Sequence, residues 1–251
     1  MSSRAEASVT AVIAAAGSGE RLGAGGPKAF VPLAGRPLVE WSIAAFRACA
    51  AVRSIVVACP PGHVHDLGGH DGLGVVEGGT TRSQSVSNAL AAVGTELVAI
   101  HDAARPLLTA QLVEDVIAAL IADPEADGAI AAAPVTDTIK RQRSASETAR
   151  SATKGAFTPL YGANARFVVE STLDRGRLWA AQTPQVFRTE ALRRALDAYP
   201  ADAPDPTDEA MLVEAAGGRV LIHPSSPENL KVTTPLDLGV AELLLADRAA
   251  R

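Results

Sequence analysis

Six short apolar runs constrain this chain more than anything else in it. They are TAVIAAA (10–16), SIVVACP (54–60), LGVVEGG (73–79), LVAIHDA (97–103), GAIAAAPV (128–135) and GRVLIHP (218–224). Each is bounded by turn residues. Each is continuous rather than alternating in polarity, as in strands covered on both faces. Helical segments lie between many of them. Residues 37–50 hold apolar positions at helical spacing. In 109–122, Thr109 can cap a helix whose face is Leu112, Val113, Val116, Ile117 and Leu120. Thr207 with Asp208 and Glu209 opens another helix, with acids at its positive end. Thr234-Pro235 opens the last, with proline at the first helical position. This rhythm predicts an open, mostly parallel α/β sheet in a single domain, 1–251. One stretch breaks it: residues 141–176 are rich in Ser, Thr, Ala and Arg, with weak periodicity and too much length for a plain loop.

Composition narrows the function classes. A net charge of −5 argues against a polyanion-binding surface, and 4% aromatics leave few platforms for stacking bases, so no nucleic-acid partner is expected. A small phosphorylated ligand is still compatible, because a local cluster of cations can sit in an acidic protein. No apolar stretch approaches membrane-spanning length and the start lacks a signal-peptide pattern, so a cytoplasmic protein away from membranes is expected. Cys49 and Cys59 lack metal-ligand spacing and read as buried free thiols.

In open α/β sheets ligands bind at the carboxyl ends of the strands, and the unusual polar residues of this chain fall there. The first run leads into AAAGSGERLGAGGPKAF (14–30). Gly17 and Gly19 leave backbone N–H groups able to approach phosphate. Leu22 stands where a dinucleotide fingerprint needs its third glycine, and no GxxxxGK[ST] loop is present. Arg21 as a planar fork and Lys28 as a point charge suit a triphosphate. A glycine-rich turn with two solvated cations fits the loop equally well. VEGGTTRSQS (76–85) ends a strand and opens a helix at Thr81, Arg82 and Ser85, where ordinary capping is an adequate account. HDAARP (101–106) places Asp102 at a strand end, able to bind a metal or a substrate hydroxyl, and Arg105 three residues on; a local ion pair is the competing account. His101 reads as packed or hydrogen-bonded. Thr138, Lys140 and Thr183 sit beside further strand ends, and Lys231 precedes the last capped helix, where a lone lysine is ordinarily solvated. No nucleophile constellation stands out. Cations, hydroxyls and one strand-end Asp suit chemistry done by positioning and charge neutralisation.

AAGSGERL…PK, VEGGTTRSQSV, HDAARP, APVTDTIKR, TLDRGRLWAAQTPQVF, TDEAMLVE and NLKVTTPLDL, in this order and across nearly the whole chain, resemble the 2-C-methyl-D-erythritol 4-phosphate cytidylyltransferases of the non-mevalonate isoprenoid pathway. The resemblance implies a three-layer, Rossmann-like (glycosyltransferase-A-like) nucleotidyltransferase fold with a protruding arm. It implies a homodimer formed through that arm, 141–176. It also implies transfer of CMP from CTP to methylerythritol phosphate with release of pyrophosphate and use of Mg²⁺, whose ligands it leaves unassigned. Carried over position by position, Arg21, Lys28 and Lys231 are catalytic. Ala15, Ala16, Gly17, Ser18, Gly19, Gly79, Thr80, Arg82, Ser85 and Ala103 bind CTP. Asp102, Arg105, Thr138, Arg175 and Thr183 bind methylerythritol phosphate, with Arg175 reaching the neighbour's site. Thr80 and Thr81 replace acidic residues of the family pattern, and the segment before Arg175 is longer than in typical relatives.

Ribitol-5-phosphate cytidylyltransferases share the fold and many motifs, but tend to carry AGG in the first loop and HDAVRP at the third. AAGSG and HDAARP favour methylerythritol phosphate. A non-catalytic nucleotide-binding module could dispense with Lys28, Lys231 and Arg175, all of which are present. Leu22 and the lack of an acidic residue at a second strand end disfavour a nicotinamide-dependent dehydrogenase.

Overall fold

All six apolar runs form strands in the computed structural model, which describes residues 8–19, 22, 26–67, 72–143, 168–200 and 202–250. They are β1 (Val9–Ala14), β4 (Val52–Cys59), β5 (Leu73–Glu77), β6 (Leu97–Asp102), β7 (Gly128–Pro134) and β11 (Val220–Pro224). A short hairpin, β2 (Pro32–Leu33) and β3 (Arg36–Pro37), follows the first loop. A further strand, β10 (Trp179–Arg188), lies outside the six runs. The main sheet has the order β11-β7-β10-β6-β1-β4-β5. β1 is parallel to β4 and β6, β4 to β5, and β7 to β11, while β10 runs antiparallel between β6 and β7.

Helices cover both faces: α1 (Leu38–Arg47), α2 (Arg82–Leu90), α3 (Ala110–Ala122), α4 (Thr189–Ala198), α5 (Glu209–Ala215) and α6 (Pro235–Ala250). Side chains alternate between the faces as strand geometry requires. Ala11 and Ile13 of β1, Leu97 and Ala99 of β6 and Val186 of β10 pack with Ile43 and Phe46 of α1 and with Val113, Val116 and Leu120 of α3. Val12, Val98, Ile100 and Phe187 point to the opposite layer, with Val86 of α2, Leu192 of α4 and Leu212 of α5. The expectation of burial on both faces holds for the central strands. The edge strands β5 and β11 are only partly buried, because each has a neighbour on one side alone.

Helix starts follow the sequence signals with one shift. Thr109 caps α3, accepting from the Leu112 N–H at 3.2 Å, and Thr81 caps α2, accepting from Gln84 N–H at 3.2 Å. Thr234 accepts from Asp237 N–H at 3.2 Å at the start of α6. At α5 the cap is Asp208, accepting from Met211 N–H at 3.0 Å, which frees Thr207 from that role. Cys49 and Cys59 are buried free thiols, and burial pushes Cys59 up to about 11. Of the 141–176 stretch, residues 144–167 lie outside the described residues; on either side of them an exposed antiparallel pair forms, β8 (Lys140–Gln142) with β9 (Val169–Thr172). No helix of the described residues is long and apolar enough to cross a membrane.

Candidate active site

The carboxyl ends of four parallel strands meet at one edge of the sheet. Ala14, the last residue of β1, is in register with Ala58 of β4 and with Asp102 of β6, and Cys59 is in register with Glu77 of β5. Strand-following backbone bonds continue past the ladder: Ala15 N–H to Ala58 O at 3.0 Å, Ala103 N–H to Ala14 O at 3.1 Å and Gly78 N–H to Cys59 O at 2.7 Å. The sequence-predicted positions Ala15, Ala16, Gly79 and Ala103 therefore share one edge. β1 sits between a chain of strands on one side and β6 on the other, the arrangement that opens a crevice in such sheets.

The first loop is built against Lys28. The Lys28 N–H donates to the Gly17 carbonyl at 3.1 Å. Gly19 has φ +75°, and a Cβ there would lie 2.9 Å from the Lys28 nitrogen, so only glycine fits. Leu22 packs with Val31, Leu33, Leu38 and Leu107, which anchors the loop by an apolar side chain where a dinucleotide loop would have glycine. Arg21 and the glycines at 23 and 25 lie outside the described residues. Past the end of β5, two strands away, a Cβ on Gly78 would stand 2.5 Å from the Ala16 Cβ, so the two loops are in contact. Ser85 ties Gly79 to α2, accepting from Gly79 N–H at 3.0 Å and donating to Thr81 O at 2.8 Å. The Thr80 hydroxyl donates to Gln84 Oε1 at 3.0 Å.

Beside these loops is a polar cavity lined by Arg82, Asp102, Arg105, Gln182, Thr183, Gln185, Thr207, Asp208 and Lys231, with the Ala181 backbone. Asp102 is its hub. Its Oδ1 accepts from Arg82 Nε at 2.9 Å and its Oδ2 pairs with Lys231 Nζ at 2.7 Å. Burial opposes the charge on Asp102, yet Arg82 and Lys231 hold its carboxyl well below the usual carboxylate range. Arg82 in turn grips both oxygens of the buried Glu209, at 2.7 and 2.8 Å from Nη1. Burial works against the guanidinium, but the two carboxylates push its pKa up. Burial pushes the Glu209 carboxyl up, with Arg82 opposing.

Arg105 does not pair with Asp102 directly. Its Nη1 donates to Asn229 O at 2.7 Å and its Nη2 to Ala181 O at 3.3 Å. The half-buried guanidinium has two carbonyls and no paired carboxylate; burial lowers its pKa, with the nearby Asp102 charge opposing. The Lys231 loop is clipped down at several points. Val232 N–H donates to Ala104 O at 2.8 Å, and Asn229 Nδ2 donates to Thr183 O at 2.9 Å and Gln182 Oε1 at 3.0 Å. Thr183 reaches the cavity because the β10 ladder shifts register between Ala181 and Gln185. His101 is fully buried and bonded to Thr183 Oγ1 at 2.9 Å and to Arg105 O at 3.2 Å.

The predicted residues Arg82, Asp102, Arg105, Thr183 and Lys231 thus converge. Thr138 is exposed beyond β7 and does not line this cavity; nor does Arg175, whose Nη1 donates to the Thr136 carbonyl of its own chain. Sequence reasoning missed Gln182, Gln185, Thr207, Asp208, Glu209 and Asn229. Two glutamines bracketing Thr183 in a mostly apolar stretch, and three polar residues before a helix, were the available signals.

Comparison with known proteins places the whole chain among relatives of one family. The family model described as IspD, 2-C-methyl-D-erythritol 4-phosphate cytidylyltransferase, matches residues 9–161 and 158–247. The protein of that name from Symbiobacterium thermophilum is 40% identical, over 96% of this chain and 94% of its own. The one from Saccharopolyspora erythraea is 37% identical, over 95% of this chain and 100% of its own. The crystal structure of 2-C-methyl-D-erythritol 4-phosphate cytidylyltransferase from Thermus thermophilus superposes with a TM-score of 0.71 at 32% identity, covering 94% of this chain and 98% of that one. The chain belongs to the 2-C-methyl-D-erythritol 4-phosphate cytidylyltransferase (IspD) family.

Proposed function

We propose that this protein transfers CMP from CTP to 2-C-methyl-D-erythritol 4-phosphate, giving 4-diphosphocytidyl-2-C-methyl-D-erythritol and pyrophosphate. The observation that carries the reading is the cation-rich cavity of Arg82, Arg105 and Lys231 around Asp102, set beside the glycine loop at the same sheet edge. An oxygen of the polyol phosphate forms the new bond to the α-phosphorus of CTP. The bond from that phosphorus to the bridging oxygen breaks in line, and pyrophosphate leaves with the electron pair. No side chain needs to form a covalent bond. The protein's work is to hold two anions together and offset the charge that collects at phosphorus.

In this reading the backbone of 15–19, with Gly79, Thr80, Ser85 and Ala103, holds CTP. Arg21 and Lys28 act on its triphosphate. Asp102 and Thr183 receive polyol hydroxyls, Arg105 and Lys231 face the incoming phosphate, and Arg82 keeps Asp102 ionised. Mg²⁺ would arrive with the triphosphate and neutralise part of its charge. The described residues form no cage of metal ligands, and the two cations on Asp102, Arg82 and Lys231, disfavour a metal there while leaving lone pairs for a hydroxyl. Exposed Val168 and Val169 at the base of the arm favour a homodimer that covers them, with Arg175 and Thr138 serving the partner's site. We place the enzyme in the cytoplasm.

The substrate assignment is tested by pyrophosphate release with methylerythritol phosphate and with ribitol 5-phosphate. We expect kcat/KM to favour methylerythritol phosphate by about 100-fold or more, the scale set by a buried polar site rejecting a mismatched partner; preference for ribitol phosphate would overturn it. Action across the dimer is tested with Lys28→Ala and Arg175→Ala, each expected to lose about 100-fold or more in turnover. Mixing the two with demonstrated subunit exchange should restore activity, because one hybrid site is then intact; exchange without rescue contradicts the crossed arm. The buried His101 sets an acid limit. Burial lowers its pKa from 6.5 to about 4, so the unfolded chain binds the proton first and stability is lost as pH falls from 6.5 towards 4. Thermal melts across that window should fall more steeply for wild type than for His101→Phe; parallel curves would show that His101 is not held neutral.

A further inference from the structure

The hydrogen bonds around Thr183 have a fixed direction, and the direction matters for substrate. A main-chain carbonyl can only accept, so the 3.2 Å contact between His101 Nε2 and Arg105 O requires a proton on Nε2. A neutral imidazole with Nε2–H has a bare Nδ1, which can only accept. Thr183 Oγ1, 2.9 Å away, must therefore give its own hydrogen to Nδ1. The same oxygen already accepts from Asp102 N–H at 3.1 Å. One lone pair is left, and Thr183 lines the cavity.

We propose that His101 is a positioning residue that fixes the Thr183 hydroxyl as a pure acceptor towards the cavity, so that the site takes a substrate hydroxyl as donor at this point. A hydroxyl free to rotate could present either a hydrogen or a lone pair and would order only on binding. Held by His101, it is set before the substrate arrives. The Phe46 ring, edge-on to the imidazole at 5.6 Å, packs it from one side, and burial keeps it uncharged. This rests on the reading that Thr183 contacts the polyol phosphate.

Two substitutions separate this role from a merely structural one. Asn places an acceptor where Nδ1 stands and gives up the bond to Arg105 O. Gln reaches the position of Nε2, restores the bond to Arg105 O and gives up the acceptor for Thr183. We expect His101→Gln and His101→Phe to raise KM for methylerythritol phosphate about tenfold, the size of one lost hydrogen bond, and to leave KM for CTP within about twofold. His101→Asn should stay close to wild type for both. Thr183→Val should match His101→Gln, and the double variant should be no worse than either single one. Rescue by Gln but not by Asn would make His101 a support for the Arg105 turn and overturn the inference. So would a raised KM for both substrates, or additive effects in the double variant. Thr183→Val that leaves the polyol KM unchanged would instead remove Thr183 from the substrate site, whereas a damaging Thr183→Val with silent His101 variants would sink the inference alone.

Discussion

One carboxylate, Asp102, ties the polar cluster at the strand ends together. It stands at the end of the central β6, in register with the end of β1, and is 7% exposed. A charge so placed is stable only with partners, and it has two: Arg82 from α2 and Lys231 from the loop before α6. Those partners come from distant parts of the sequence, so the ion cluster joins three segments of the chain. Glu209 completes it from behind by holding Arg82 in a fixed orientation. Removing the charge on Asp102 would leave Arg82 to Glu209 alone and take from Lys231 its carboxylate partner, whereas removing either cation leaves the other paired.

The arrangement explains how an acidic protein with a net charge of −5 can receive two phosphorylated substrates. Positive charge is concentrated at one sheet edge and partly balanced in place. Arg82 is committed to Asp102 and Glu209. Lys231 is shared between Asp102 and solvent, at 42% side-chain exposure. Arg105, held by carbonyls alone, is the least compensated of the three.

Much of this was legible in the sequence. The parallel strands are continuous apolar runs, because both faces of the sheet are covered. β10 was not legible as a strand, since Gln182, Thr183 and Pro184 interrupt its apolar pattern where the ladder shifts register. That interruption is what carries Thr183 into the site. Asp102 and Arg105 stood out by their strand-end positions and Lys231 only through the resemblance of NLKVTTPLDL, but their partners did not stand out. Glu209 and Asp208 read as ordinary acids at a helix start; Asp208 is indeed the cap, while Glu209 turns inward to Arg82. Asn229 is one polar residue in a loop, and its clip onto Thr183 exists only through the fold. Local rules find residues whose environment is set by their own element, and miss those whose partners arrive from elsewhere.

The central claim is that the charge of Asp102, rather than its shape, organises the site. The most direct measurement is steady-state kinetics of Asp102→Asn, which keeps the shape and removes the charge. The account predicts a fall in kcat/KM for methylerythritol phosphate of about 100-fold or more, as Arg82 and Lys231 lose their shared anchor, with thermal unfolding still cooperative. A variant within about threefold of wild type would contradict it.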